Sequence, residues 1–275
     1  VARVLELNYF PIKGCAGVSA ADVSVTPAGL AFDRSFMVVS PEGVFRSQRR
    51  DPRLALVRPS VLGGGEVLRL AAEGFEPVEF EVAAAGPGRP VEMFGVPYRG
   101  IDQGEAAAAW LSAVVGDPCR LVRVPADHDR VTDGLTPGTS GFADSSAVHL
   151  LSAASLAGLN ERMVVAGAVA LPMARFRPNI VVDGWDEPHV EDGLRRLRVG
   201  DVELGYTKLA IRCAVTTVDQ ESGVKRGPEP LRSLAKYRRA AQGGVAFGVK
   251  FAVTRVGKVS VGDEVSVLEW GESEL

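Results

Sequence analysis

Short apolar runs with a period of two recur along this chain, and turn-forming residues separate them. Residues 4–10 read as a strand stopped by Pro11. Further strands are expected over residues 36–39, 54–62, 67–70, 78–82 and 91–96. Between them lie Ser40-Pro41-Glu42-Gly43, Gly63-Gly64-Gly65 and Gly86-Pro87-Gly88, whose residue types favour turns. The second half continues with strands over 120–124, 147–151, 180–182, 209–215 and 247–253. Two Gly-Asp turns add hairpins there, Gly200-Asp201 within 196–204 and Gly262-Asp263 between 259–261 and 265–267. Helical character is confined to three segments. One spans 105–115, with Asp102 as N-cap, Glu105 three residues on, and Gly116 and Pro118 at its end. Another follows Ser152 as far as Arg162, and a third covers 229–240. The fold class is therefore α+β and predominantly β, a small barrel or sandwich with peripheral helices.

A loop of 17 residues, 125–141, is rich in Asp, Gly, Thr and Pro. Inside a compact domain a loop of that length is either mobile or a lid over a site.

Composition narrows the function classes. With 275 residues, 46% of them hydrophobic, the chain suffices for one large or two small domains with a buried core. A net charge of -3, with both signs spread throughout, argues against nucleic-acid binding by bulk electrostatics but leaves local basic pockets open. No signal-peptide pattern or membrane-length apolar run occurs, so a cytoplasmic location is the expectation. Cys15, Cys119 and Cys213 lie far apart, without the C-x-x-C spacing of a zinc ribbon or an iron–sulfur site. His128, His149 and His189 are equally scattered. The glycine motifs of nucleotide binding and the G-x-S-x-G elbow are absent.

What remains is Cys213, near the end of the strand L-A-I-R-C-A-V over 209–215. Alternation places Cys213 with Leu209, Ile211 and Val215, and places Arg212 on the other face. A cysteine there is either a small core hydrophobe or a thiolate that binds a soft metal or attacks a substrate. Lys13, Arg34, Arg177 and Arg212 all stand just after strands. If they converge with Cys213, the pocket suits an anionic ligand carrying a soft metal. Asp219 is a candidate proton carrier nearby, or simply a turn-forming aspartate.

Several blocks then carry a resemblance. Tyr9-Phe10-Pro11-Ile12-Lys13-Gly14-Cys15 resembles the Y-P-[IV]-K-S-C opening of the MOSC family. Phe32-Asp33-Arg34-Ser35-Phe36, the block from Arg175 to Val182, and the block from Arg212 to Asp219 follow in the family's order. The similarity spans nearly the whole chain and is closest to the amidoxime-reducing component type. It implies an N-terminal MOSC-N β-barrel region over 1–122, whose residues 10–36 also help to build the site, followed by a MOSC domain over 123–275.

It further implies the molybdenum cofactor, molybdopterin, with Cys213 as molybdenum ligand and catalytic residue. Lys13, Gly14, Arg34, Asp144, Ser145, Ser146, Arg177, Asn179, Arg212 and Phe247 match positions that surround the pterin and its phosphate. Gly14 replaces a serine common in relatives, so only its backbone N–H can serve. The implied reaction is reduction of amidoximes, hydroxylamines and N-hydroxylated bases. No cysteine-rich extension follows Leu275, so electrons are expected from a separate donor protein of ferredoxin, flavodoxin or cytochrome type with a reductase. The alternatives are a cofactor carrier or sulfur-transfer module, and a hydrolase pairing Cys213 with His149 or His189.

Overall fold

The computed structural model describes residues 1–275. Its largest element is an eight-stranded sheet in the order Val265–Trp270, Leu194–Val199, Val202–Arg212, Val245–Arg255, Val148–Ser152, Ile180–Asp183, Arg3–Tyr9 and Val18–Ala20. No pairing joins its two outer strands. A five-stranded sheet runs in the order Gly88–Met93, Val96–Asp102, Arg120–Arg123, Phe36–Val39 and Ile12–Lys13. Three smaller sheets complete the architecture, and the predominantly β, α+β expectation holds.

Two cores sit behind these sheets. One gathers 24 buried residues, among them Val4, Leu150, Leu209, Val249 and Phe251 of the large sheet. The second gathers 14, among them Ile12, Val38, Leu54, Leu68, Leu111 and Leu121. The helix Gly104–Val115 supplies Ala107, Leu111, Val114 and Val115 to this core, at the i, i+4, i+7 spacing of one helical face. The chain crosses from one sheet to the other at Phe10-Pro11, because Arg3–Tyr9 pairs with Ile180–Asp183 whereas Ile12–Lys13 pairs with Phe36–Val39. Proline suits the crossover, since it has no N–H to leave unpaired.

Several expected elements change on folding. The strand expected over 209–215 ends at Arg212, and its pairing with Val245–Arg255 shifts between Leu209 and Ile211. Strict alternation fails across that shift, so Leu209 and Ala210 are both buried while Ile211 is exposed. The helix expected over 229–240 shrinks to Leu231–Leu234. Past it the backbone is drawn into sheet-like pairing, with Ala246 N–H donating to the Arg238 carbonyl and a bridge between Arg239 and Val245. The Arg238 guanidinium is buried against Asp192 at 2.7 Å. A helix through 240 would withdraw that charge from its partner.

The Gly262-Asp263 turn forms, but its arms join different sheets. Gly257–Ser260 pairs with Asp22–Thr26, and Val265–Trp270 pairs with Leu194–Val199. Residues 54–62 divide into a 3₁₀ turn, Pro52–Leu56, and a strand, Arg58–Leu62. Gln103 takes the N-cap position expected of Asp102. Asp102 instead accepts from Gly104 N–H and is clamped by Arg120.

Gly248 shows how tightly the large sheet is closed around the region described next. Its φ is +79°, and a Cβ there would lie 2.7 Å from His149 Nε2 and 2.8 Å from the Leu150 carbonyl oxygen. Gly248→Ala combines left-handed strain with a backbone clash and is expected to lower unfolding free energy by about 2 kcal/mol or more, read by denaturant titration. A loss below about 0.5 kcal/mol would show that the neighbouring strand yields freely.

Candidate functional site

Cys213 does not enter the core. It follows the last residue of the Val202–Arg212 strand, half-buried, in extended conformation at the head of the 3₁₀ turn Ala214–Thr217. Its carbonyl accepts from Thr216 N–H and Oγ1, which fixes the backbone, while Cys213 lines a solvent-open cleft. The pairing shift before Arg212 and the turn after it bring both Arg212 and Cys213 to this cleft, against the expectation of opposite faces.

Of the positions named from the sequence, Lys13, Gly14, Arg34, Asp144, Ser146, Arg177, Asn179 and Arg212 line the same cleft as Cys213. The loops after Leu30 and Met173–Arg175 deliver Arg34 and Arg177, and the segment after Tyr9 delivers Phe10 and Lys13. Arg34 and Arg177 stack on opposite sides of sequence but on one ring, each guanidinium 4.2 Å from the Phe10 centroid. Asp33 grips Arg34 Nη1 through both carboxylate oxygens, at 2.8 and 2.7 Å, and also accepts from Phe10 N–H. Asn179 is the hub behind them. Its Nδ2 donates to the Asn8 carbonyl and to Asp33, and its Oδ1 accepts from Arg34 Nη1 and from His149 N–H.

Arg34 and Arg177 also hold positive φ values of 46° and 56°, uncommon for a side chain bearing a Cβ. Their own hydrogen bonds enforce this. Arg34 N–H donates to the Phe10 carbonyl, and Arg34 Nη2 to the Arg177 carbonyl.

Burial, with Arg34 as neighbour, pushes the Arg177 guanidinium down to about 9. Burial likewise takes Arg212 down to about 10, even though Cys213 and Asp144 oppose the change. Arg212 Nη2 donates to the Phe176 carbonyl at 2.7 Å, and its Nε is buried without a partner.

The opposite wall holds a charge cluster. Lys13 pairs with Asp144, and Lys250 Nζ donates to Ser145 Oγ at 2.6 Å. Burial raises the Asp144 carboxyl, but Lys13, Lys250 and Arg34 outweigh it and hold the group well below the ordinary carboxylate range. Burial brings Lys250 down to about 8 against the pull of Asp144. Ser146 shares a hydrogen bond of 3.0 Å with Thr207. The loop over 125–141 supports this wall rather than covering the cleft. Arg130 donates to the Gly141 and Asp144 carbonyls, and Leu135 and Thr136 N–H groups donate to the Thr207 and Tyr206 carbonyls. None of its residues lines the cleft.

Two named positions stand outside. Ser145 reaches the site through Lys250, and Phe247 is fully buried behind it, its ring 4.6 Å from that of Phe176. Asp219 is a turn former, accepting from Ser222 N–H and Oγ at 2.9 and 2.8 Å. His189 packs against Tyr237 and Phe247 away from the cleft. His149 does line it, 3.4 Å from Arg212 Nη1, and burial together with Arg212 holds its ring well below the usual histidine range. Sequence reading also missed Lys250, Gln48, Arg49, Phe45 and Phe94. Only the folded pairing of Lys250 with His149 across two strands, or the hairpins bearing the others, brings them here.

The molybdenum cofactor's fit can be judged on charge and donors. Six cations line the cleft, Lys13, Arg34, Arg49, Arg177, Arg212 and Lys250, against one carboxylate, Asp144. So unbalanced a set requires an anion. No three His, Cys, Asp or Glu side chains come together as a metal cage. A metal here would take its one soft ligand from Cys213 and the others from its own organic carrier. The residues present fit such a group.

Comparisons agree with this chemistry. A family model described as the MOSC N-terminal beta barrel domain matches residues 1–118, and the MOSC domain matches 137–266. The chain is 33% identical to mitochondrial amidoxime reducing component 2 of Rattus norvegicus over 96% of its own length and 83% of that protein's. It is 32% identical to mitochondrial amidoxime-reducing component 1 of Homo sapiens, over 98% and 83%. A molybdenum cofactor sulfurase of Danio rerio is 30% identical over 90% of this chain but only 31% of its own length. These names overturn the expected cytoplasmic location, which rested on missing apolar segments that a mitochondrial address does not need. The chain belongs to the MOSC family of molybdenum-cofactor-related proteins, joining a MOSC N-terminal region to a MOSC domain as a relative of the amidoxime-reducing components.

Proposed function

We propose that this protein is a molybdenum-cofactor-dependent oxidoreductase that reduces N-hydroxylated compounds, with Cys213 as thiolate ligand and electrons from a separate donor protein. The observation that carries this reading is the half-buried thiol of Cys213 in a cleft of six cations and one carboxylate, in a chain 33% identical to an amidoxime reducing component. When bound, the cofactor supplies a metal centre that accepts an oxygen atom from an N–O group in a two-electron reaction.

The chain's residues would act around it as follows. Arg34 and Arg177 are immobilised on Phe10 before any ligand arrives, so they bind a phosphate with little loss of side-chain freedom. Arg212 brings positive charge next to Cys213, on the wall where an anionic ligand would sit. Asn179 orients both arginine loops through Asp33 and Arg34. Lys250 Nζ carries a proton at neutral pH and lines the same cleft, which makes it the group best placed to deliver one to a departing oxygen. The sulfurase relative supports a second reading, a carrier or sulfur-transfer module without turnover. A hydrolase is not favoured, since no carboxylate is bonded to the His149 ring to orient it as a base.

Protein purified from cells that make the cofactor is expected to hold near-stoichiometric molybdenum by elemental analysis and to reduce benzamidoxime with an artificial electron donor. Cys213→Ser is expected to remove a sulfur from the metal's X-ray absorption spectrum and to lower the reduction rate at least a hundredfold, about 3 kcal/mol of transition-state stabilisation. Tight molybdenum in the wild type with no reduction under any donor would instead support the carrier.

Cofactor-free protein offers a second check, with inorganic phosphate as the probe. Lys250 is cationic below about pH 8 and neutral above it. Phosphate affinity is therefore expected to fall as pH rises through 8, and Lys250→Arg is expected to flatten that fall. An identical pH profile in the variant would remove Lys250 from the anion site.

A further inference from the structure

The tip of the hairpin between Gly88–Met93 and Val96–Asp102 is made of Phe94 and Gly95, with φ values of +57° and +79°. A two-residue turn with both φ values positive favours asparagine or glycine at its first position, and a bulky aromatic residue is strained there. Phe94 is nevertheless 50% exposed, so its ring gains little from burial. Turn geometry and the second core, then, both fail to account for this residue.

The ring is not turned at random. It lines the cleft, 5.5 Å edge-on from Phe45, which lines it too. Arg49 stands 5.3 Å from its centroid, and Lys13 Nζ stands 5.2 Å away. Ile211, itself exposed because of the strand shift before Arg212, lines the same cleft beside Arg212 and Cys213. The cleft thus has an apolar lip of two phenyl rings and an isoleucine above a strongly cationic floor. Strain retained in an exposed residue that faces a site points to a ligand contact.

We propose that Phe94, with Phe45 and Ile211, forms a subsite for a flat apolar ring carried by the substrate, and that Phe94 sets preference for aryl over alkyl N-hydroxylated compounds. This rests on the reading of the cleft as a reductase site. A planar ring seated on this lip packs against the edges of Phe94 and Phe45 that Lys13 and Arg49 leave free, whereas a short alkyl chain leaves the lip wet. Neutral ligands suit the lip best, because Lys13 and Arg49 repel a cationic ring.

The test uses the cofactor-loaded protein without a reductant, titrated calorimetrically with benzamidoxime and with acetamidoxime, which share the reacting head and differ in ring against methyl. Wild type is expected to bind the aryl compound about tenfold more tightly. Phe94→Asn and Phe94→Gly are expected to abolish most of that ratio, while the midpoint of thermal unfolding stays level or rises as the turn strain is relieved. Phe94→Tyr should keep the ratio. Equal affinities in the wild type, or an unchanged ratio in Phe94→Asn, would overturn the proposal. So would a drop in unfolding midpoint with both ligands weakened alike, which marks a packing role. Reduction assays on the same protein separate the two readings. A ring preference without reduction of either oxime sinks the reductase and leaves the subsite standing, and reduction of both without preference sinks the subsite alone.

Discussion

Like charges half-buried or buried in the wall of one cleft repel one another, and the site depends on the fold overcoming that repulsion before a ligand is present. The means are visible around Phe10. Its ring sits at the crossover between the two main sheets and carries a guanidinium from each of two distant loops. Asp33 neutralises Arg34 from behind, and Asn179 locks Asp33, Arg34 and the backbone of His149 into one arrangement. Burial, and after it the repulsion between these cations, shows as lowered proton affinity in Arg177, Arg212 and Lys250. An anion bound there would relieve it, so ligand binding and local stability are coupled in the same direction.

The same constraint explains where backbone strain collects. Five residues other than glycine have positive φ, and three of them, Arg34, Phe94 and Arg177, line the cleft. For the arginines the strain is offset by hydrogen bonds and by the Phe10 ring. Phe94 has the edge of Phe45 and the cations of Lys13 and Arg49 beside its ring, all of them also on the cleft.

Legibility in the sequence followed the range of the interactions. The predominantly β architecture could be read because turn residues and alternation act locally, and the two longer helices were found within a few residues of their ends. The helix over 229–240 could not, because its fate depends on Asp192 and Ala246, far away in sequence. For Cys213 the alternation rule gave the wrong neighbours. The pairing shift before Arg212, together with the end of the strand there and the 3₁₀ turn that follows, brings Arg212 and Cys213 to one cleft. Resemblance, not periodicity, singled out Asp144 and Ser146, whose residue types are ordinary in turns. Lys250 escaped because it sits in an unremarkable strand segment, and only its cross-strand pairing with His149 brings the two ionisable groups to one cleft.

That pairing bears on how protons reach the site. His149 and Lys250 face each other across Val148–Ser152 and Val245–Arg255, near Gly248 with its positive φ. The imidazole is held neutral by burial and by Arg212, so it can accept a hydrogen bond but carries no extra charge into an already cationic cleft. Lys250 is held close to the pH at which it can both give and regain a proton. Ser145 and Asp144 lie on its path, the first as acceptor of its hydrogen bond and the second as a fixed negative charge that resists its loss of charge. The strand shift that turns Cys213 outward and the glycine that lets these strands approach are thus two parts of one local distortion. It places a thiol and a titratable ammonium on the same cleft, which an undistorted, strictly alternating sheet would have sent to separate faces.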